Sequence, residues 1–144
     1  MTQRAVILDV AVRILYPLML AAAFWLLLRG HNEPGGGFIG GMVAVAATAM
    51  LAVARGADFA QSRMPLGPLR LAYASLLLSF ASGLPALGHN LPYMTHLWGS
   101  IPLGFTEFKV STVMLFDLGV FGTVWAALGG LCAQVVAIDE EAEP

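Results

Sequence analysis

The chain has 144 residues, of which 58% are hydrophobic and 11% charged, with a formal net charge of −2. Soluble domains carry about 25% charged residues, and a chain this short cannot hide so much apolar surface from water. The composition excludes a soluble globular fold, and seven scattered Lys and Arg residues exclude the clustered basic footprint of a nucleic-acid-binding protein.

An apolar run from residue 5 to residue 28 opens the chain. Arg4 in front of it resembles the start of a secretory signal, but roughly 24 residues exceed the 7 to 15 of a signal core, and the run ends at Arg29 without a small-residue cleavage site. It reads as a first transmembrane helix with Pro17 in its middle, where proline removes a backbone hydrogen bond. Asp9 and Arg13 stand four apart on this helix, acid first, the favourable order for an ion pair near the interface.

A turn follows, Arg29-Gly30-His31-Asn32-Glu33-Pro34-Gly35-Gly36-Gly37. It lacks the Gly-Lys-Ser/Thr ending of a phosphate loop. Pro34 sets one φ, and the three glycines permit positive φ and close backbone contact, so Pro34, Gly35, Gly36, Gly37 and Phe38 read as a shaped, tightly packed entry into the next helix. That second helix spans about 38–54. Gly40, Ala44, Thr48 and Ala52 recur every fourth residue, with Gly37 and Gly41 beside them, the small-residue pattern that lets helix backbones approach in lipid. Such a helix is expected to be surrounded by protein.

Residues 55–70 contain Asp58, Gln61, Ser62, Arg63, Pro65 and Pro68 and read as a polar loop. A third helix is expected over about 69–84. Between Pro85 and Lys109, prolines and glycines break any long helix while Tyr93, Trp98, Phe105 and Phe108 keep the segment apolar, which suits the membrane interface or a partner surface. The last helix, about 111–138, ends in the acidic tail from Asp139.

The fold expected from these elements is an all-α membrane protein, a single integral domain of four transmembrane helices (about 5–28, 38–54, 69–84 and 111–138). About 20 apolar residues cross a hydrocarbon core about 30 Å thick, so the length leaves little beyond the spans and their loops. Arg4, Arg55, Arg63 and Arg70 fall on one side and only Arg29 and Lys109 on the other, so the positive-inside rule puts both termini in the cytoplasm.

Asp117 is the sharpest candidate for chemistry. A carboxylate about two turns into a transmembrane helix is costly and points to an ion path or a proton relay, although an Asp held by structural partners or reached by interfacial water fits the same position. On a helical wheel Asp117 shares a face with Phe121, Val124, Leu128 and Val135, while Gly119, Gly122, Ala126 and Gly130 occupy the opposite face. A helix wanting neighbours on both sides belongs inside something larger than four spans.

Thr48, Thr112 and Thr123 are expected to bond their own helix backbone. His31, Glu33, His89 and His96 have no regular metal-ligand spacing. Cys132 reads as a small buried hydrophobe. With no nucleophile beside a base, no cofactor motif and no metal set, the chain is not read as an enzyme.

The block from Arg29 to Gly41, preceded by Arg13 and Pro17 and followed much later by Phe116-Asp117-Leu118-Gly119-Val120, resembles the MnhB family, the B subunits of Mrp-type Na⁺/H⁺ antiporters. The resemblance implies a small subunit of a hetero-oligomeric monovalent cation/proton antiporter in the prokaryotic cytoplasmic membrane. Its partners would be large subunits resembling the proton-pumping subunits of respiratory complex I and other small hydrophobic subunits, with Na⁺ and H⁺ as transported ions. The family's glycine block falls on Pro34 to Phe38 plus Gly40 and Gly41, and its late acidic position on Asp117. Two other readings compete: a self-sufficient homo-oligomeric four-helix exporter, which would need an aromatic-lined pocket around a central acid, and a purely structural subunit of a related hydrogenase-type complex.

Overall fold

The computed structural model describes residues 3–30, 34–102 and 107–142, with side chains described for residues 7–30, 34–99 and 111–139. In chain order the elements are α1 (Gln3–Arg29), α2 (Gly37–Arg55), α3 (Ala57–Ser62), α4 (Pro68–Ala81), α5 (Leu84–Gly88), β1 (Trp98–Pro102), β2 (Glu107–Ser111) and α6 (Thr112–Ala142). Four stretches are long and apolar enough to cross a membrane: Ile7–Arg29, Gly37–Arg55, Pro68–Gly88 and Thr112–Asp139. The four expected spans are therefore present, with ends shifted by a few residues.

Their packing is a row in the order α1, α2, α6, α4. α2 lies between α1 and α6, and α6 lies between α2 and α4, while α1 meets α6 only slightly. The row is curled, so that Phe24 of α1 and Leu71 of α4 border one hollow of about 290 Å³ over Phe121 and Trp125 of α6. Both neighbours that the composition of α6 demands come from this same chain. On its glycine face, Cβ atoms at Gly119 and Gly122 would overlap the hydroxyls of Ser79 and Ser75 on α4. On the Asp117 face, a Cβ at Gly41 of α2 would stand 2.9 Å from Cβ of Val124. Much of the two-sided pattern of α6 is thus met within these four helices, while Leu128 and Val135 of the Asp117 face stay exposed. α2 is covered on two sides by protein, but Phe38, Ile39, Met42 and Val53 remain exposed.

A polar bond crosses the middle of the row. Thr48 Oγ1 donates to the Ala44 carbonyl at 3.0 Å and accepts from Trp125 Nε1 at 2.8 Å, both residues being buried. The Thr48→Val variant leaves the indole N–H without an acceptor in an apolar surrounding, a loss of about 1–3 kcal/mol. We expect a lower unfolding midpoint in detergent titration, with part of it recovered when Trp125→Phe is added. Thr123 likewise bonds its own helix, at the Gly119 carbonyl, 2.8 Å. Thr112 does not. Its hydroxyl accepts from Leu97 N–H at 3.1 Å, tying the strand pair to the start of α6.

Two segments differ from the sequence reading. The expected loop after Arg55 contains α3, whose Ala57 and Ala60 bury against Val12, Leu51, Ala52 and Ala133. From Pro85 to Pro102 the chain holds more regular structure than its prolines and glycines suggest. α4 gives way at Ser82 and Gly83 to α5, with Pro85 in the first turn, where its missing N–H costs nothing. Tyr93 then folds back to donate from its hydroxyl to the Phe80 carbonyl at 2.7 Å. β1 and β2 form an antiparallel ribbon with Trp98 opposite Ser111 and Ile101 opposite Phe108. Pro102 is tolerated because neither strand has a second partner among the described residues.

Candidate functional site

The glycine block and Asp117, 80 positions apart in sequence, meet in the fold. Gly36 N–H donates to the Leu26 carbonyl at 3.0 Å, which docks the entry of α2 onto the last turn of α1. A Cβ at Gly35 would stand 2.6 Å from that same carbonyl oxygen, and one at Gly30 would overlap the Gly36 backbone. Gly36 then caps α2 with φ 98° and ψ −176°, a region open essentially only to glycine. One residue on, a Cβ at Gly37 would overlap the Asp117 carbonyl oxygen of α6. At Gly40 a side chain would stand 2.6 Å from the Ala23 carbonyl oxygen and 3.2 Å from the Phe121 ring. The block thus wedges the head of α2 between α1 and α6, backbone against backbone.

The Asp117 carboxylate lies beside this junction. Its Oδ2 is 3.6 Å from where a Gly36 Cβ would be. The first N–H groups of α2 have no partner inside their own helix and carry the positive end of its dipole, a favourable neighbour for a carboxylate. Asp117 is partly exposed, and as the sixth residue of α6 it sits roughly 8 Å in from the helix start, at the shallow end of the span. Pro34 and Phe38 of the block face outward, Phe38 with more than half its surface exposed.

At the opposite end of α1 and α2, Asp9 and Arg13 form the expected ion pair, Arg13 Nη2 to Asp9 Oδ2 at 3.1 Å. A second partner was not foreseen from sequence. Arg55, the last residue of α2, donates from Nε to Asp9 Oδ1 at 2.7 Å, and its Nη2 stands at the same distance from that oxygen, poorly directed for a second hydrogen bond. Arg55 is the better buried partner, its side chain 20% exposed against 68% for Arg13. An acid near the start of a span and a base at the end of the next stand at one depth when the helices are antiparallel, and that was the available signal. Asp9 and Asp117 are separated by about 25 Å along the helix axes.

His89 and His96 are exposed, and His31 and Glu33 lie outside the described residues. Cys132 is a free thiol of intermediate burial.

Comparison with known proteins bears on this arrangement. The chain is 36% identical over 118 residues to the Na⁺/H⁺ antiporter B subunit of Bacillus subtilis, covering 80% of this chain and 81% of that protein. It is 31% identical over 119 residues to the protein of the same name from Alkalihalophilus pseudofirmus, covering 81% of each. A chain in the structure of the Mrp complex from a Dietzia species is similar with a TM-score of 0.79 at 25% identity, over 98% of this chain and 15% of that one. The present chain thus spans most of the length of these two bacterial relatives and a small part of the structural match. A family model described as a domain related to the MnhB subunit of Na⁺/H⁺ antiporter matches residues 7–130, and the chain belongs to this MnhB family.

Proposed function

We propose that the chain is the MnhB-type subunit of an Mrp-type Na⁺/H⁺ antiporter, a multi-pass protein of the prokaryotic cytoplasmic membrane that works as part of a transporter and not as an enzyme. The observation that carries this reading is the match, over about four fifths of each chain, to proteins named as antiporter B subunits, together with the same fold inside a solved Mrp complex. Its role is to hold helices in register within the assembly, and Asp117 borders the cation or proton path where α2 begins. The termini face the cytoplasm, which leaves Asp117 and the glycine junction at the outer end of the spans and the Asp9 cluster at the inner end.

A self-sufficient exporter is poorly supported, since Asp117 does not line the hollow beside Arg55, the one over Trp125 or the one against Phe80. Purification of the tagged chain from its native membrane in mild detergent, followed by mass spectrometry, tests the assignment. Several large and small hydrophobic partners are expected to accompany it. Recovery of a homo-oligomer alone would overturn the assignment to a complex.

A further inference from the structure

The Asp9 cluster borders a hollow of about 260 Å³ between α1, α2 and α3, lined by Val12, Arg13, Tyr16, Pro17, Leu51, Arg55, Phe59 and Arg63. We infer that this hollow is a binding site for the phosphate of an anionic phospholipid headgroup, a function that goes beyond the antiporter assignment and does not involve Asp117.

Charge is the first argument. Arg13 and Arg55 share the single carboxylate of Asp9, and Arg63 has no acidic partner within 4.0 Å among the described residues. Asp58 and Asp139, both exposed, do not line the hollow. Among the described side chains, three guanidinium groups stand against one carboxylate, an excess of two positive charges in a small space. Arginine is suited to phosphate because its planar fork offers parallel N–H donors.

Preorganisation is the second. Phe59 holds two of the three cations by its ring, Arg63 at 4.7 Å and Arg55 at 5.2 Å from the centroid. A guanidinium held over a ring face keeps its edge donors available. Arg55 is further clamped by Asp9. The ordering cost of gathering long cationic side chains around an anion is thus largely met before the ligand arrives.

Depth selects the source of the phosphate. Arg55 closes the apolar span of α2 and so stands at headgroup level, whereas Leu51 of the same lining lies about one turn and Pro17 about two turns farther into the span. The hollow therefore runs from a cationic rim to an apolar wall, matching a phosphodiester followed by glycerol and acyl carbons. Basic pockets between transmembrane helices near the interface are the usual seats of anionic lipid headgroups. A free phosphate ion would have no use for the apolar wall.

The test uses the intact assembly in which the chain is purified, stripped of lipid by detergent and then offered phosphatidylglycerol or phosphatidylcholine vesicles, with tightly bound lipid counted by native mass spectrometry. Wild type should retain phosphatidylglycerol in preference to phosphatidylcholine. Arg63→Ala, which leaves the Asp9 ion pairs intact, should weaken retention about tenfold, the equivalent of one charge-assisted hydrogen bond, and Arg13→Ala with Arg63→Ala should abolish it. Arg63→Gln keeps the stem over Phe59 and reads the same shift if the alanine variant does not assemble. Unchanged retention in the double variant, equal retention of phosphatidylcholine, displacement of the lipid by inorganic phosphate alone, or loss of a neighbouring subunit with lipid retention unaltered would each overturn the site. The last outcome would assign the arginines to a partner's carboxylate.

Discussion

Replacing Gly37 by valine is expected to remove the assembled protein from the membrane almost entirely. The first added carbon would overlap the Asp117 carbonyl oxygen, and neither group can swing away because each belongs to helix backbone. Overpacking that side chains can absorb costs about 1–3 kcal/mol; here relief requires α2 and α6 to separate along the contact that holds the middle of the row. The loss is read as complex yield after mild solubilisation, beside Gly88→Ala as a control, because a Cβ at Gly88 meets no atom within 4 Å. Normal yield of Gly37→Val would show that the helices do not approach backbone to backbone at this point.

The second large effect falls on transport. Asp117→Asn preserves shape and removes charge beside the amino end of α2. An amide can neither carry a proton nor neutralise a passing cation, so the substitution should lower cation-dependent proton exchange severalfold. Everted membrane vesicles carrying the whole complex and a fluorescent pH probe measure this directly. Because no backbone contact changes, complex yield should stay at the wild-type level. Full exchange by a normally assembled Asp117→Asn complex would reduce the carboxylate to a structural role, and loss of assembly with loss of exchange would assign it to the junction rather than to the path.

How much of this was legible in the sequence depended on how many residues each feature involves. The spans were legible because hydropathy over about 20 residues is a property of one segment and needs no partner. The close packing of α2 was legible for the same reason, through Gly37, Gly40, Gly41 and Ala44. Partners across the chain were not. Asp9 shows its i+4 neighbour Arg13 on its own helix, whereas Arg55 lies 46 positions away and enters only once the register of α1 against α2 is known. Gly36 and Asp117 stood as separate motifs because nothing local announces that one closes over the other. α3 was hidden by the polar and proline residues around it, and the strand pair by Gly99 and Pro102, which local propensity assigns to turns. Cross-strand pairing within the hairpin overrode those preferences, as context commonly does for strands.

The row formed by α1, α2, α6 and α4 has a mechanical consequence. Elements joined mainly in series pass a displacement from one to the next, with Phe24 on Phe121 and α3 against α6 as side links. A tilt imposed on α4 reaches α6 through Gly119 and Gly122 bearing on Ser79 and Ser75, reaches α2 through Gly37 and Gly41 bearing on Asp117 and Val124, and arrives at Arg55 as a strain on its bond to Asp9. At the glycine contacts little compressible side chain intervenes, so such a linkage is stiff. A push at one edge of the molecule should then reach the other as an altered grip on a single carboxylate.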